Sequence, residues 1–282
     1  MLPGSSTRNN IQPADVDLPR IAASSYLNTA PLIWSFLHGT RRDQVQLITD
    51  TAPARCGDML ARGEVEASLV PVIEYERMKG IQVVPGVCVG SHSAVRSVVL
   101  ASKFADLRRI RRVALDNSSR TSQALLKIMF REFLEFEPEW ESGNPDLSAM
   151  TRTNDAALII GDPAMEISSK DFHVFDLASL WRRFTGAGFV FAMWMAREDA
   201  AAAVRRVDFA GARDEGLDHL NEITSDYTPL PELPQAELIG YLRDNISFNL
   251  DDDLKTGLEL FYRLAHKHWI ISTMPRLKMI DE

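Results

Sequence analysis

Short apolar segments that alternate with amphipathic segments are the feature that most constrains how this chain can fold. The apolar runs at 20–24 and 67–70 are typical of strands, and the segments after them have helical spacing. The same alternation begins again at 113–115. Because strands that alternate with helices form βαβ units, we expect an α/β fold with mainly parallel sheets. Two series of such units, joined by β-rich segments at 83–89 and 95–101, predict two lobes with a ligand cleft between them.

The same pattern indicates how the chain is divided. Residues 1–19 contain no apolar run, so we expect a flexible leader there and not a signal peptide. Residues 20–101 together with 197–282 are expected to form lobe 1, and residues 102–196 to form lobe 2. No segment approaches the ~20 apolar residues of a membrane span, so we expect a cytoplasmic protein without a membrane partner. The sequence does not indicate an oligomeric state.

Charge and composition exclude several classes of function. The formal net charge is -8, which disfavours nucleic-acid binding because such binding depends on neutralising phosphates. A small anionic substrate stays possible, since helix N-termini and single arginines bind anions whatever the net charge. The two cysteines form no CxxC motif, the six histidines have no metal-ligand spacing, and GxSxG, GxGxxG and P-loop motifs are absent from the sequence. We therefore expect no metal and no cofactor.

Polar turns follow several predicted strands, at the positions where open α/β sheets bind ligands. The turn at 118–122 lies between a strand and a helix, so its N–H groups converge on one point, and Arg120 adds a bidentate contact to a carboxylate. The alternative is a helix cap without a ligand. Arg96 either holds a substrate carboxylate or pairs with an exposed acid. The candidate substrate-binding residues are Ser25, Tyr26, Thr29, Thr51, Arg96, Ser118, Ser119, Arg120, Thr121, Gly161 and Asp162.

Acidic residues near these turns are the candidates for a general base. They are Glu74, Asp116 and Asp162. A base must first reach its proton geometrically, and its pKa matters second. Asp116 and Asp162 have the alternative of capping their turns, and Glu74 has the alternative of lying on a solvated helix face.

Six segments between Arg20 and Arg197 carry a family resemblance. They are 25–32 (SYLNTAPL), 50–56 (DTAPARC), 63–75 (GEVEASLVPVIEY), 95–98 (VRSV), 116–121 (DNSSRT) and 160–164 (IGDPA). Taken in this order and at this spacing, they resemble the chorismate dehydratases of the futalosine route to menaquinone. The resemblance implies a type II periplasmic-binding-protein-like fold.

The resemblance also implies an activity and its residues. It implies a carbon–oxygen lyase that converts chorismate to 3-[(1-carboxyvinyl)oxy]benzoate and water without cofactor or metal. The family's functional Asn and Ser correspond to Asn28 and Ser97. Because neither side chain is a base at neutral pH, we hypothesise that a substrate carboxylate takes the proton, with Glu74 as the protein alternative. Asn28 could instead cap its helix, and Ser97 could be an ordinary sheet residue.

Other functions stay open at this point. A non-catalytic solute-binding protein has the same fold, and fold does not fix function. The later, dihydroxynaphthoate-forming enzyme of the same pathway also shares the fold, and its family is expected to rely on a histidine near the cleft. His92 is the histidine that we expect there. A ligand-sensing regulator is disfavoured by the acidic balance and by the lack of a DNA-binding segment.

Overall fold

The computed structural model describes residues 18–225, 227–228, 230 and 232–281. The leader predicted at 1–19 lies outside the described residues, except for its last two positions. The strands are β1 (Arg20–Ser24), β2 (Gln46–Asp50), β3 (Ala67–Pro71), β4 (Ile81–Ser91), β5 (Val98–Ser102), β6 (Arg112–Asp116), β7 (Glu139–Gly143), β8 (Ala156–Ile160), β9 (His173–Asp176) and β10 (Phe189–Arg197). The α-helices are α1 (Ala30–Leu37), α2 (Pro53–Ala61), α3 (Glu74–Arg77), α4 (Arg120–Ile128), α5 (Leu147–Thr153), α6 (Asp162–Met165), α7 (Leu177–Thr185), α8 (Ala201–Val204), α9 (Phe209–Asp218), α10 (Leu220–Ser225), α11 (Gln235–Gly240) and α12 (Asp252–Lys267).

The strands form two five-stranded sheets, and each sheet is the centre of one lobe. The first sheet has the order β2-β1-β3-β10-β4, and the second has the order β7-β6-β8-β5-β9. In each sheet, two pairs of neighbours are parallel and two are antiparallel. The prediction of mainly parallel sheets is therefore wrong. β5 and β10 each enter their sheet from the other lobe, and no βαβ crossover within that sheet forces them to run parallel.

The strand pairing also differs from the expected division into lobes. Boundaries at 101/102 and 196/197 put β5 in lobe 1 and β10 in lobe 2, whereas β5 pairs with β8 and β9, and β10 pairs with β3 and β4. Both strands are interior and mostly buried. An apolar run of this kind fits the centre of either sheet, so its sequence does not show which sheet it joins.

Burial agrees with sheet position for most strands, although the edge strand β4 is also largely buried. β3, β5 and β8 are buried along their whole length, as expected for strands covered on both faces. The edge strands β2 and β7 are exposed or partly buried. β7 has the sequence EWESG without an apolar run and was not predicted; its parallel pairing with β6 makes it a strand. One cluster of buried apolar side chains includes Ile21 of the first sheet and Leu158 of the second, so the two lobes pack on each other.

Three helix N-termini face the region where the lobes meet. Pro31 lies in the first turn of α1 and Pro53 in the first turn of α2, in agreement with the sequence signals. A short 3₁₀ helix, Leu27–Thr29, precedes α1. α4 begins directly after Ser119. Because α1, α2 and α4 follow β1, β2 and β6, their N-termini lie beyond the carboxyl ends of those strands. Among the described residues, no helix combines the length and the apolar character needed to cross a membrane.

Glu215 on α9 joins that helix to α1 through a set of charge-assisted hydrogen bonds. Its carboxylate accepts from the Ser35 hydroxyl at 2.5 Å, the Thr40 N–H at 2.8 Å and Nη1 of Arg41 at 2.8 Å. These partners, the Ser35 hydroxyl first, lower the pKa of Glu215 from 4.5 to about 2.

Replacing Glu215 with Gln is expected to lower the free energy of unfolding at pH 7 by about 2 kcal/mol, because charged acceptors bind these donors more strongly. The native pKa lies below the unfolded one, so this stabilisation is complete above pH 4.5 and is lost as the pH falls towards 2. Urea midpoints of the wild type and the variant should therefore converge over that range. Glu259→Gln, on the exposed side of α12, is the control and should change stability by less than about 0.5 kcal/mol. If the urea midpoints of the wild type and of Glu215→Gln differed by the same amount at every pH, this account of Glu215 would be contradicted.

Candidate active site

A narrow cavity of about 60 Å³ lies between the two lobes, at the carboxyl ends of β1, β3 and β8. Apolar residues, among them Leu69, Val89 and Phe191, make up half of the residues that line it. The polar side chains in the wall come from both lobes and from the segment between β4 and β5. They belong to Ser24, Tyr26, Asn28, Thr29, Ser97, Ser119, Thr121 and Ser122.

Asn28 and Ser97, the residues that the family resemblance indicates as functional, lie side by side in this wall. Nδ2 of Asn28 is 3.5 Å from Oγ of Ser97. The Thr29 hydroxyl is 3.4 Å from Oδ1 of Asn28 and 2.8 Å from the Ser24 hydroxyl. The N-cap residue of α1 is Thr29, so the capping role considered for Asn28 is not the one it has. The side chains of Ser24, Thr29, Asn28 and Ser97 therefore form a row of uncharged hydrogen-bond donors and acceptors in the cavity wall.

The backbone around Ser97 is held in an unusual conformation. Ser97 precedes β5 and is not part of the strand. Arg96 has a φ of 60°, a left-handed conformation that side chains other than Gly rarely adopt. Two successive N–H groups, of Val95 and Arg96, donate to the Asp176 carboxylate at 3.2 and 2.6 Å. Burial raises the pKa of Asp176, while these N–H donors favour its charged form. Asp176 thus fixes the turn that presents Ser97 to the cavity.

The two arginines expected to hold substrate carboxylates have other partners. Arg96 donates to Glu237, and Arg120 donates to Asp58 at 2.8 Å and to Glu74 at 3.1 Å. Neither arginine lines the cavity. Arg120 instead connects α4 of lobe 2 to α2 and α3 of lobe 1. A long arginine side chain pairs with whichever carboxylates tertiary packing brings near it. The sequence of the turn that contains the arginine does not show which carboxylates those are.

Glu74, the candidate base, is buried and not on a solvated helix face. Its side chain is 4% exposed, and both of its oxygens have arginine partners, Arg77 at 3.5 Å and Arg120 at 3.1 Å. Burial raises the pKa of Glu74, and the two arginines oppose that shift. Glu74 does not line the cavity.

The turn at 118–122 contributes Ser119, Thr121 and Ser122 to the cavity wall, and Ser119, the N-cap residue of α4, makes no side-chain hydrogen bond that caps the helix. Ser118 donates its N–H and its hydroxyl to Asp116 at 2.8 and 2.6 Å, so Asp116 stabilises the turn from inside. Burial raises the pKa of Asp116. Ser119 and Ser122 line the cavity at the first turn of α4, where helix N–H groups have no partner within the helix. Uncharged hydroxyls and a positive helix end therefore face the same space.

Gly161 and Tyr26 meet in the cavity wall, next to this turn. Gly161 has a φ of 69°, and a Cβ on it would lie 2.5 Å from the Tyr26 ring. Burial, more than the nearby Asp116, raises the pKa of Tyr26 to about 12, so its hydroxyl is neutral at pH 7. Asp162 accepts from the Leu27 N–H at 3.1 Å and from the Tyr227 hydroxyl, which ties the start of α6 to lobe 1. Asp162 is therefore a capping and bridging residue, and burial raises its pKa.

Besides the two arginines, Glu74 and Asp116, five predicted residues lie outside the cavity wall, namely Ser25, Thr51, His92, Ser118 and Asp162. Ser25 and Thr51 are exposed, and the Thr51 hydroxyl accepts from Arg55 at 2.8 Å. His92 is on the surface, where Nδ1 is 2.9 Å from an Asp253 oxygen. The structure thus brings Asn28, Ser97 and the turn of α4 together but leaves the expected histidine apart from them.

Sequence reasoning missed Tyr241, Tyr227 and Asp176. The Tyr241 hydroxyl donates to Ser97 Oγ at 2.7 Å, and Tyr227 and Asp176 hold the surrounding backbone. Each is far from the site in sequence, and Tyr241 has the spacing of an ordinary buried helix residue. Asp176 alone gave a local signal, since an Asp before a helix is a typical N-cap, and its side chain does accept from the Ser179 N–H.

Comparison with known proteins identifies the family of the chain. A family model described as menaquinone biosynthesis matches residues 19–267. The chain belongs to this menaquinone biosynthesis family. The chain is also 29% identical over 270 residues to a protein of Thermus thermophilus named chorismate dehydratase, and the match covers 89% of this chain and 94% of that protein. The resemblance seen in the six sequence segments is confirmed.

Solved structures show the fold of this menaquinone-biosynthesis chain. Protein AF1704 of Archaeoglobus fulgidus is similar with a TM-score of 0.66 and 14% identity, over 90% of this chain and 98% of that one. The periplasmic aliphatic sulphonate binding protein SsuA of Escherichia coli is similar with a TM-score of 0.62 and 15% identity, over 91% and 89%. The predicted periplasmic-binding-protein-like fold, with a cleft between two lobes, is confirmed.

The site of this family member offers hydrogen bonds and no charged side chain. Among the described residues that line the cavity, none is an acid, a histidine, a lysine, an arginine or a cysteine. Elsewhere in the described part of the chain, His, Cys, Asp and Glu do not form groups of three that could hold a metal ion. Such a cavity can orient an anion and donate to oxygen atoms, but the lining side chains supply no base of ordinary strength at pH 7.

Proposed function

We propose that this protein is a carbon–oxygen lyase that dehydrates chorismate to 3-[(1-carboxyvinyl)oxy]benzoate in menaquinone biosynthesis. The observation that carries the proposal is the pairing of Asn28 and Ser97 in the wall of an uncharged cavity between the lobes. The family of the chain and the name of its Thermus thermophilus relative support the same reaction.

The chemistry suits a site built from neutral donors. Chorismate carries two carboxylates and a ring hydroxyl, and loss of a proton and a hydroxide makes its ring aromatic, so the overall step is strongly downhill. The protein therefore has mainly to bind and orient the substrate and to assist departure of the hydroxide. Hydrogen-bond donors fixed before the reaction stabilise charge that develops on an oxygen. We assign this role to the Asn28 amide and the Ser97 hydroxyl.

The N-terminus of α4 is our candidate for one substrate carboxylate. Ser119 and Ser122 line the cavity at the first turn of that helix, where its first N–H groups have no partner within the helix. A helix end with its free N–H groups carries a partial positive charge and binds carboxylates without an arginine. This assignment replaces Arg96 and Arg120, which are engaged with Glu237 and with the Asp58 and Glu74 pair.

The proton is best assigned to a carboxylate of the substrate itself. Glu74 would have to leave Arg120 and move from behind the wall to reach a bound ring. A substrate carboxylate held near the ring needs no such movement, and its proximity raises its effective concentration greatly. We therefore assign Glu74 a structural role, as the ion-pair partner of Arg120, and not the role of the base.

Binding must open the cleft. A cavity of about 60 Å³ is much smaller than the ~300 Å³ at which ligand pockets begin. Contacts between the lobes, such as the Ile73 N–H donating to the Thr121 hydroxyl at 3.2 Å, then break and form again around the substrate. We propose that closure removes water from the ring and brings both walls into contact with it.

The test is an assay with chorismate on wild type, Asn28→Ala and Ser97→Ala. We expect a new aromatic product from the wild type, and a kcat that is lower by roughly 100- to 1,000-fold in each variant, as for loss of a donor to a developing charge. Circular dichroism checks that both variants are folded. Ser93→Ala, which removes an exposed hydroxyl from the same connecting segment, should keep wild-type activity. Chorismate binding without product, or full activity in both Ala variants, would reject the proposal.

A further inference from the structure

We infer that Tyr241 is a positioning residue that aims the Ser97 hydroxyl into the cavity, an inference that rests on the proposed function. Tyr241 directly follows α11 and is 1% exposed. Its hydroxyl is 2.7 Å from Ser97 Oγ, the best hydrogen bond that Ser97 makes with another side chain. It reaches Ser97 from behind the cavity wall, because Tyr241 itself does not line the cavity.

The count of donors and acceptors decides which way the Ser97 hydrogen points. A serine hydroxyl has one hydrogen to donate and two lone pairs that accept. Ser97 accepts from the Tyr241 hydroxyl at 2.7 Å and faces the Asn28 amide at 3.5 Å, so both of its partners are donors. Its single hydrogen is left to donate, either to the Val95 carbonyl at 3.4 Å or into the cavity. The long distance to Val95 favours an oxygen of a bound substrate.

The same arrangement strengthens Ser97 as a donor. A hydroxyl that accepts one hydrogen bond is polarised, and it donates a better one. Without the Tyr241 hydroxyl, the Ser97 hydroxyl is free to rotate and can turn its lone pairs towards the cavity. Tyr241 therefore acts on the departing hydroxide through Ser97 and not by direct contact.

Tyr241 is not itself the source of a proton. Burial raises the pKa of Tyr241, and the nearby carboxylate of Asp162 raises it further. Loss of its proton would leave a phenolate in the core, and a buried charge of this kind is costly. Tyr241 thus keeps its hydrogen throughout the reaction and holds the geometry of Ser97.

The experiment is a double-mutant cycle between Tyr241→Phe and Ser97→Ala, with kcat and KM for chorismate as readouts. Tyr241→Phe removes only the hydroxyl. We expect kcat to fall roughly tenfold, as for one hydrogen bond, with KM changed by less than about twofold. In the Ser97→Ala background the same change should have no further effect, because residues that act as one unit are not additive.

Tyr262→Phe is the matched control. Tyr262 is also buried, and its hydroxyl donates to the Val72 carbonyl at 2.7 Å, away from Ser97. It should lower thermal stability about as much as Tyr241→Phe, while kcat stays at the wild-type value. An unchanged kcat in Tyr241→Phe, or an equal loss with and without Ser97, would overturn the inference.

Neutron crystal structures of the wild type and of Tyr241→Phe, which show hydrogen positions, separate this inference from the proposed function. If the wild type gives no product from chorismate, the proposed function fails, but the conformation of Ser97 still decides the positioning role. We expect its hydroxyl to turn towards the Val95 carbonyl in the variant. A Ser97 hydrogen that keeps its wild-type direction in the variant would show that Tyr241 does not position it.

Discussion

Gly161→Ala is expected to lower kcat/KM for chorismate by about 100-fold, since displacing site groups by about 1 Å has costs of that size. The new Cβ would lie 2.5 Å from the Tyr26 ring, so the ring must move or the lobes must separate. The Gly161 N–H also donates to the Ser97 carbonyl at 2.8 Å, so a shift here moves Ser97 as well. Steady-state kinetics on the purified variant measure the effect.

Gly186→Ala is a control for an alanine at a positive-φ glycine that has no close neighbours. Gly186 has a φ of 75° and a ψ of 0°, whereas Gly161 has a φ of 69° and a ψ of -153°, and no described atom lies within 4 Å of a Cβ placed on Gly186. The free energy of unfolding of Gly186→Ala should fall by about 1 kcal/mol because alanine is strained in the left-handed conformation, and the variant should keep its activity. If Gly161→Ala retained full turnover, close contact between Tyr26 and Gly161 would have no role in the closed site.

Gly257→Ala is expected to have the largest effect on stability, lowering the free energy of unfolding by about 3 kcal/mol because overpacking forces backbone to move. Its Cβ would lie 1.8 Å from the Gly188 carbonyl, which places α12 directly against the chain that leads into β10. That carbonyl also accepts from the indole of the buried Trp181 at 3.0 Å. Moving it therefore disturbs a second buried contact. Urea denaturation with an unchanged m-value measures the loss.

Gly240→Ala is the control for helix propensity. Gly240 ends α11, and a Cβ on it would meet only Asp244 Oδ2, at 3.8 Å. Since Ala is favoured over Gly within helices by up to ~1 kcal/mol, this variant should be as stable as the wild type or more stable. If Gly257→Ala and Gly240→Ala changed the free energy of unfolding equally, the close approach of α12 to Gly188 would not be the cause of the loss in Gly257→Ala.

The fold was predictable where local signals agree with each other. Buried apolar runs predicted β3 and β8, and prolines at helix starts predicted α1 and α2. The errors concern β5, β7 and β10. The sequence predicts that β5 and β10 are strands, but it does not predict which strands they pair with. Their sheet depends on the path that the chain takes between the lobes. β7 is a strand through its pairing with β6 alone.

The site was predictable in its turns and not in its long side chains. Asn28, Thr29 and Ser119 reach the cavity because a short side chain follows the backbone turn that carries it. Arg96 and Arg120 take carboxylates from distant segments, and their long side chains leave the turn that suggested their role. Tyr241 contacts Ser97 across 144 positions of sequence, a separation that no local pattern contains.

The strand order of the first sheet has a consequence for the order in which the chain can acquire its structure. β10 lies between β3 and β4, although almost a hundred residues separate it from β4 along the chain. During synthesis, β3 and β4 are therefore made before β10, the strand that pairs with both of them. The ribosome synthesises β10 only after all the strands of the second sheet. The second sheet needs no strand from outside itself and can be complete first. Until then, the unpaired flanks of β3 and β4 are exposed strand edges, which are the parts of a nascent protein most open to wrong pairing.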